Sequence, residues 1–336
     1  MATSAMKAPK GAIHEALKAV KIAVVGTGNV GSSTAYGLLL GGLAAEIVLV
    51  DINKPRAEGE AMDLSHASPF SHATRVRAGG YQDCAGASVV VIAAGINQKP
   101  GQSRMDLVHA NVAIFKTIIP EIVRYAPDTI LLVATNPVDI LTYVTWKLSG
   151  FPTHRVIGSG TALDTARFRF EIGRYYGVNP ESVHADIIGE HGDTELPVWS
   201  LSSISGMHLP DYCRHAGIQY DQKALTTCFT NTKNAAYEII KRKGWTNYGV
   251  ATALTRIVET ILRDEDTLLP VSMVGKFAGV EGVALSVPCK VTRLGVFHTF
   301  TLKLSPEEES ELRMSAESLK LVLKQVEPHL TQGLGL

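Results

Sequence analysis

Residues 187–195 read IIGEHGDTE: two apolar residues, a glycine, and then His191 in a polar turn with Glu190, Asp193 and Glu195 close by. Histidine titrates near neutrality, so it is the side chain best suited to carry a proton at physiological pH. It is also an ordinary loop residue on a charged surface, and nine residues do not separate the two. Two other stretches bear on the choice. GTALDTARFR puts Asp164 and Arg167 three apart on a helical pattern, hence on one face. GINQKPGQSRMDLV is polar, bounded by glycine and directly follows an apolar strand pattern. Ligands of open α/β sheets bind beyond such strand ends, and a mobile segment there can act as a lid.

A second chemical signal lies near the N-terminus. VVGTGNVG sets Gly26, Gly28 and Gly31 in GxGxxG order, and a second strand pattern ends in Asp51, 20 residues past Gly31. The motif alone is weak and also fits a glycine-rich packing turn. Its context, a strand before and a helix after, makes it a dinucleotide fingerprint. Gly26 permits the tight turn, Gly28 lets backbone approach a pyrophosphate, and Gly31 lets the helix pack on the sheet. The helix N-terminus offers free N–H groups and partial positive charge. Asp51 can accept hydrogen bonds from a ribose 2′-hydroxyl and would repel a 2′-phosphate, so NAD is favoured over NADP.

The elements that must position these groups alternate from residue 21 onward. KIAVVG, EIVLVD, SVVVIAAG and TILLVATNP read as buried strands separated by helical stretches. That pattern implies a parallel sheet covered on both faces with right-handed connections. After about residue 158 the pattern changes to a helix of mixed charge, shorter strands such as SVHADIIGE, TLLPVSMVG and VALSVPCKVT, and long helices near 226–243, 246–264 and 305–326. Ser305, Pro306 and Glu308 open the last helix as a capping box, and Leu312, Ala316, Leu319 and Leu323 form its apolar stripe. The expected organisation is an arm over 1–20, with a short helix at 12–19, a Rossmann domain over 21–158 and an α+β substrate domain over 159–330.

Bulk properties exclude several classes. Lys+Arg and Asp+Glu are 32 each, which gives no electrostatic argument for nucleic acid or an anionic membrane. Cys84, Cys213, Cys228 and Cys289 show no metal-ligand spacing and read as reduced, mostly buried thiols. Residues 22–45 lack charge but are interrupted throughout by Gly, Ser, Thr and Asn, so they are not a membrane span. The first 20 residues have no signal-type apolar core and no arginine. A cytoplasmic protein is expected.

Taken together, GTGNVG, VLVDINK, AAGINQKPGQSRMDL, ATNPVDI, GSGTALDTARFR, GEHGDTELPVWS and KGWTNYG stand in the order and spacing of the lactate/malate dehydrogenase family. The chain resembles that family from about residue 21 to 330, most closely its bacterial L-lactate branch. The resemblance implies that His191 is the acid/base group, that Asp164 holds its ring, that Arg167 grips the substrate carboxylate and that Arg104 on the lid polarises the reacting carbonyl. It places Asn136 near nicotinamide and substrate, with a cis bond to Pro137, and Thr246 beside the substrate methyl. It assigns NAD contacts to Gly26, Gly28, Asn29, Val30, Gly31, Asp51, Arg56, Tyr81, Gly95, Ile96, Thr135 and Asn136. The chemistry agrees: reducing a 2-keto acid needs a hydride to carbon, a proton to oxygen and a cation by the developing alkoxide. Glu190, Asp193 and Glu195 read as solvated or structural acids.

Gln98 selects among keto acids in this pattern. Lactate enzymes tend to carry glutamine at this lid position and malate enzymes arginine. An amide cannot neutralise a second carboxylate under a closed lid, so pyruvate/L-lactate is expected ahead of oxaloacetate/malate. Arg167 and Arg169 lie two apart on one helix and point to different faces. The resemblance matches Arg169 and His184 to a fructose 1,6-bisphosphate effector site at a subunit interface of a homotetramer; an interface salt bridge without effector is the alternative. A silent NAD-binding scaffold would have lost His191, Arg104 or Arg167, and a sensing module would carry an appended domain or basic patch; neither pattern is present.

Overall fold

The structure is a computed structural model that describes residues 20–97, 103–298 and 300–331. The expected arm and the lid segment around Gln98 lie outside the described residues. The first half alternates β1 (Lys21–Val25), α1 (Asn29–Leu40), β2 (Glu46–Val50), α2 (Lys54–Ala67), β3 (Arg75–Gly79), β4 (Val89–Ile92), α3 (Arg104–Tyr125), β5 (Ile130–Val133), α4 (Val138–Ser149) and β6 (Val156–Gly158). The strands VVVI and ILLV are buried at every position, as a parallel sheet covered on both faces requires. Strands β3, β2, β1, β4, β5 and β6 lie side by side in that order, all parallel. The order reverses between β1 and β4, and the crevice beyond their C-terminal ends is where such a sheet binds ligand.

The second half comprises α5 (Ala162–Tyr176), β7 (Val183–His184), β8 (Ile187–Ile188), β9 (Leu196–Pro197), β10 (Ser203–Ile204), β11 (Met207–His208), α6 (Leu209–Ala216), α7 (Gln222–Lys243), α8 (Tyr248–Arg263), β12 (Thr267–Phe277), β13 (Val280–Thr292), β14 (Gly295–Phe297) and α9 (Pro306–Thr331). The structure departs from the sequence expectation at two places. The segment SVHADIIGE is not one strand: β7 joins β10 and β11, whereas β8 pairs with β9. Strands β12 and β13 are long, at 11 and 13 residues, and they extend the first sheet, Ser272 pairing antiparallel with Gly158. Proline reads as a strand end because it lacks an N–H; here Pro270 and Pro288 are register partners, so both missing donors fall on one rung.

A large core spans the nine-stranded sheet and its flanking helices. A second, smaller core of Phe168, Ile172, Val183, Ile187, Leu209 and Leu225 holds α5, α6 and α7 around the short strands. All four cysteines are buried and unbridged. No helix among the described residues is long and apolar enough to cross a membrane.

Candidate active site

Helix α5 and strand β8 bring Asp164, Arg167 and His191 together. Thr161, just before α5, donates its hydroxyl to the Ile187 carbonyl at 2.6 Å, and the Thr165 hydroxyl accepts the Ile187 N–H at 2.9 Å. Gly189, which follows β8, is bridged to Ser286 of β13 by two backbone hydrogen bonds of 2.8 and 3.0 Å. With helix and loop both pinned, Asp164 Oδ2 lies 2.5 Å from His191 Nδ1. The other oxygen of Asp164 accepts Arg167 Nη1 at 3.1 Å, the i,i+3 pairing expected from spacing.

The electrostatics follow from this geometry. Burial opposes a charged imidazole, but the Asp164 carboxylate against it, aided by Asp139 and Glu195, raises His191 to about 9. Burial would likewise raise Asp164, yet the His191 and Arg167 charges and hydrogen bonds hold it below the usual carboxylate range. The ring keeps 26% of its surface open while Asp164 keeps 4%, so the acid lies behind a ring that a substrate can reach.

Asp139, which the sequence reading passed over, fixes the loop from a third direction. Its Oδ2 accepts the backbone N–H of His191 at 2.7 Å and its Oδ1 accepts the Ser272 hydroxyl at 2.6 Å. Burial pushes it up to about 6 against those hydrogen bonds. The residue was visible in TNPVD, but an acid in an apolar helix has no signature that names its partner 52 residues away.

Arg104 opens α3 directly after Ser103, whose hydroxyl accepts the Asp106 N–H at 3.1 Å while Asp106 accepts the Ser103 N–H at 3.1 Å. That capping box fixes where the helix starts and so where Arg104 stands. Its guanidinium is paired with Glu190 and, at 3.0 Å, with Asp193, and 45% of its surface remains exposed. The acids flanking His191, expected to be solvated or structural, divide between the two. Glu190 and Glu195 are buried, and only Asp193 is exposed. Glu190 is locked by the Ser315 hydroxyl, which accepts its N–H at 2.9 Å, and by the Thr194 hydroxyl, which donates to its carboxylate at 2.6 Å.

The glycine loop tests the fit of a dinucleotide. Gly26 has φ +94°, and a Cβ there would meet the Ala94 backbone at 2.4 Å. At Gly31 a Cβ would lie 1.8 Å from the Gly26 carbonyl oxygen. At Gly28 it would meet nothing within 4 Å, so this glycine faces open space, the side from which a pyrophosphate can approach. Helix α1 starts there with no side-chain cap and no acid in its first turn, which leaves its end free for an anion. Asp51 follows β2; its Oδ2 accepts the Thr27 N–H at 2.6 Å and its Oδ1 the Asn53 N–H at 2.8 Å.

The other predicted residues take the following places. Gly95 and Ile96 follow β4, and the Thr135 hydroxyl donates to the Ala94 carbonyl at 2.8 Å. Asn111, another residue the sequence did not flag, is fully buried; it accepts the Ile96 N–H at 2.9 Å and donates to the Asn136 carbonyl at 2.8 Å. The Asn136–Pro137 bond is cis. Asn29 and Val30 form the first turn of α1, and Tyr81 is half-buried beyond β3. Arg56, in the first turn of α2, points to Glu60 at 3.9 Å. Thr246 is half-buried between α7 and α8, in a loop tied to α1 by Asn247 Nδ2 donating to Ser33 Oγ at 2.8 Å. Arg169 turns away from Arg167 as expected and binds the Ala185 carbonyl at 2.9 Å and Asp186 at 2.7 Å, beside the exposed His184.

Two family models cover almost all of the described chain: the NAD binding domain of lactate/malate dehydrogenases over residues 20–158 and their alpha/beta C-terminal domain over residues 161–329. A probable L-lactate dehydrogenase of Schizosaccharomyces pombe is 56% identical over 309 residues, 92% of this chain and 94% of its own. An L-lactate dehydrogenase of Clostridium botulinum is 49% identical over 304 residues, covering 90% and 96%. The ligand-bound crystal structure of the minor L-lactate dehydrogenase of Enterococcus mundtii superimposes with a TM-score of 0.89 at 43% identity, covering 92% of this chain and 99% of that one. With a Rossmann-type sheet, a His191–Asp164 pair packed beside it and both family models matched over nearly the whole described chain, the chain belongs to the lactate/malate dehydrogenase family.

Proposed function

We propose that the chain is an NAD-dependent L-lactate dehydrogenase that interconverts pyruvate and L-lactate. The observation that carries this reading is Asp164 held between His191 Nδ1 at 2.5 Å and Arg167 at 3.1 Å. Because Asp164 occupies Nδ1, the Nε2 proton of the imidazolium is the one left to give to the substrate oxygen. Arg167 receives the substrate carboxylate as a two-pronged donor. NAD, when bound, supplies or accepts the hydride. Arg104 polarises the carbonyl, for which it must leave Glu190 and Asp193. Asn136 and Thr246 complete the substrate pocket, and Gln98 meets the variable end of the substrate.

In the same reading the cofactor lies over Gly26, Gly28, Asn29, Val30 and Gly31, with Asp51 on the adenosine ribose and Arg56, Tyr81, Gly95, Ile96, Thr135 and Asn136 along its length. Residues 21–158 then serve the cofactor and 159–330 the substrate. The relatives' printed names support lactate over malate. Arg169 and His184 form the fructose 1,6-bisphosphate site of a homotetramer; the proximity of Arg169 to the His184–Asp186 segment supports this, although Asp186 must yield Arg169 to a phosphate.

The test is the loss of NADH absorbance on adding pyruvate, oxaloacetate or a branched 2-keto acid. Pyruvate should give the highest kcat/KM. A higher value with oxaloacetate would overturn the substrate assignment, and no turnover with any of them would overturn the enzyme reading.

A further inference from the structure

Glu195 has no place in the reaction described above, yet it sits beside the His191–Asp164 pair. A carboxylate oxygen of Glu195, one of Asp164 and a ring nitrogen of His191 all lie within 4.8 Å of one another. Only 8% of Glu195 is exposed, and its Oε1 has no hydrogen-bond partner among the described residues. The residue is held there by the turn that carries it, its N–H donating to the Gly192 carbonyl at 3.3 Å, and by β9 starting at the next residue. An orphaned carboxylate oxygen in such a place is costly, whereas a neutral carboxyl is tolerated.

The charges around it make the same point. Asp164 and Arg167 face Glu195 from α5, His191 from its own loop and Lys233 from α7; Asp139 of α4 acts on His191 from behind. Lys233 Nζ donates to the Asp193 carbonyl at 2.6 Å, and Arg104 is engaged with Glu190 and Asp193. The charges acting on this group are thus Asp164, His191, Lys233 and Arg167, with Asp139 behind the ring: two anions and three cations when the ring is protonated. With Glu195 neutral the chamber holds one surplus positive charge, which matches one substrate carboxylate. With Glu195 ionised the surplus is gone, and an incoming carboxylate would leave an unbalanced anion in a dry site.

We propose that Glu195 is a protonation gate on the substrate chamber: its neutral carboxyl admits an anionic 2-keto acid beside the His191–Asp164 pair, and its ionised form excludes it. The inference rests on the proposed function, since it needs an anionic substrate at Arg167. Burial, with Asp164's charge added, pushes Glu195 up to about 8, so the gate closes on the alkaline side of neutrality and before His191 loses its own proton at about 9.

Glu195→Gln keeps the shape and cannot ionise. The experiment is the KM for pyruvate and kcat as functions of pH for both proteins, with NADH binding followed by fluorescence as a check on folding. In the unsubstituted protein KM should rise at least about tenfold between pH 7 and 9, while in E195Q it should match at pH 7 and rise severalfold less, the remaining rise being set by His191, which without the Glu195 charge titrates below about 9. A purely structural role would multiply KM by the same factor at every pH and leave the break in place, which overturns the gate. If Glu195 were ionised throughout, E195Q would lower KM at pH 7 as much as at pH 9, which also overturns it. Infrared difference spectra supply a readout without turnover: a protonated-carboxyl band near pH 7 that E195Q lacks supports the gate, and its absence from the unsubstituted protein refutes it. If neither protein oxidises NADH with pyruvate, the proposed function has failed rather than the gate.

Discussion

Replacing Asp164 by asparagine tests the proposed mechanism most directly. His191 stands at about 9 against an ordinary value of 6.5. That difference is worth roughly 3 kcal/mol of preference for the imidazolium, and Asp164 is its main positive source. Asp164→Asn keeps volume and an acceptor but removes the anion, while the burial that depresses a histidine stays. The ring should then fall to its ordinary value or lower, leaving about a quarter or fewer of the molecules protonated at pH 7. The amide also has no fixed preference for the productive tautomer. Together these should lower kcat/KM for pyruvate about a hundredfold or more at neutral pH. The diagnostic readout is the pH profile. Pyruvate reduction needs protonated His191, so it is lost as pH rises through the folded value; lactate oxidation needs the neutral ring and gains there. In Asp164→Asn the alkaline fall of reduction should move from between about 8 and 9 to below about 7, and the rise of lactate oxidation should move with it. The same linkage acts on stability. The raised proton affinity of His191 contributes stability that is fully present below about pH 6.5 and lost as pH rises through about 9, and the variant should lose this dependence. Unmoved profiles in both directions would remove the Asp164–His191 pair from the mechanism.

Three further outcomes are expected. Gly28→Ala should leave the thermal midpoint within a degree or two, because its Cβ meets nothing, while weakening NADH binding about tenfold; Gly31→Ala, with a Cβ 1.8 Å from the Gly26 carbonyl oxygen, should be hard to fold at all, and equal effects on stability would refute the division of roles. Gln98→Arg should shift the ratio of kcat/KM toward oxaloacetate by about a hundredfold or more, and a ratio that stays put removes Gln98 from substrate selection. Fructose 1,6-bisphosphate should lower the pyruvate KM of the unsubstituted protein and not of Arg169→Ala; no change in the former across several pH values removes the effector reading.

Much of this protein is determined locally, and those parts were legible in the sequence. The buried strands VVVI and ILLV announce themselves by continuous apolar composition, and Gly26, Gly28 and Gly31 are fixed by a turn between strand and helix. The Ser305–Glu308 cap and the stripe from Leu312 to Leu323 likewise depend on neighbours within a few turns. Asp164 and Arg167 pair because three residues of helix bring them to one face. What tertiary structure alone decided is the company these groups keep across long stretches of chain. Sequence spacing does not say that Asp139 holds the His191 backbone, that Asn111 joins the loops after β4 and β5, or that Pro270 and Pro288 share a rung of two long strands continuing the first sheet. Nor does it say which acids near His191 lose their water. Glu190, Asp193 and Glu195 look alike in GEHGDTE, yet only Asp193 stays in solvent; burial is a property of everything packed around a side chain, and that is set when α4, α5, α9 and β13 close on the loop.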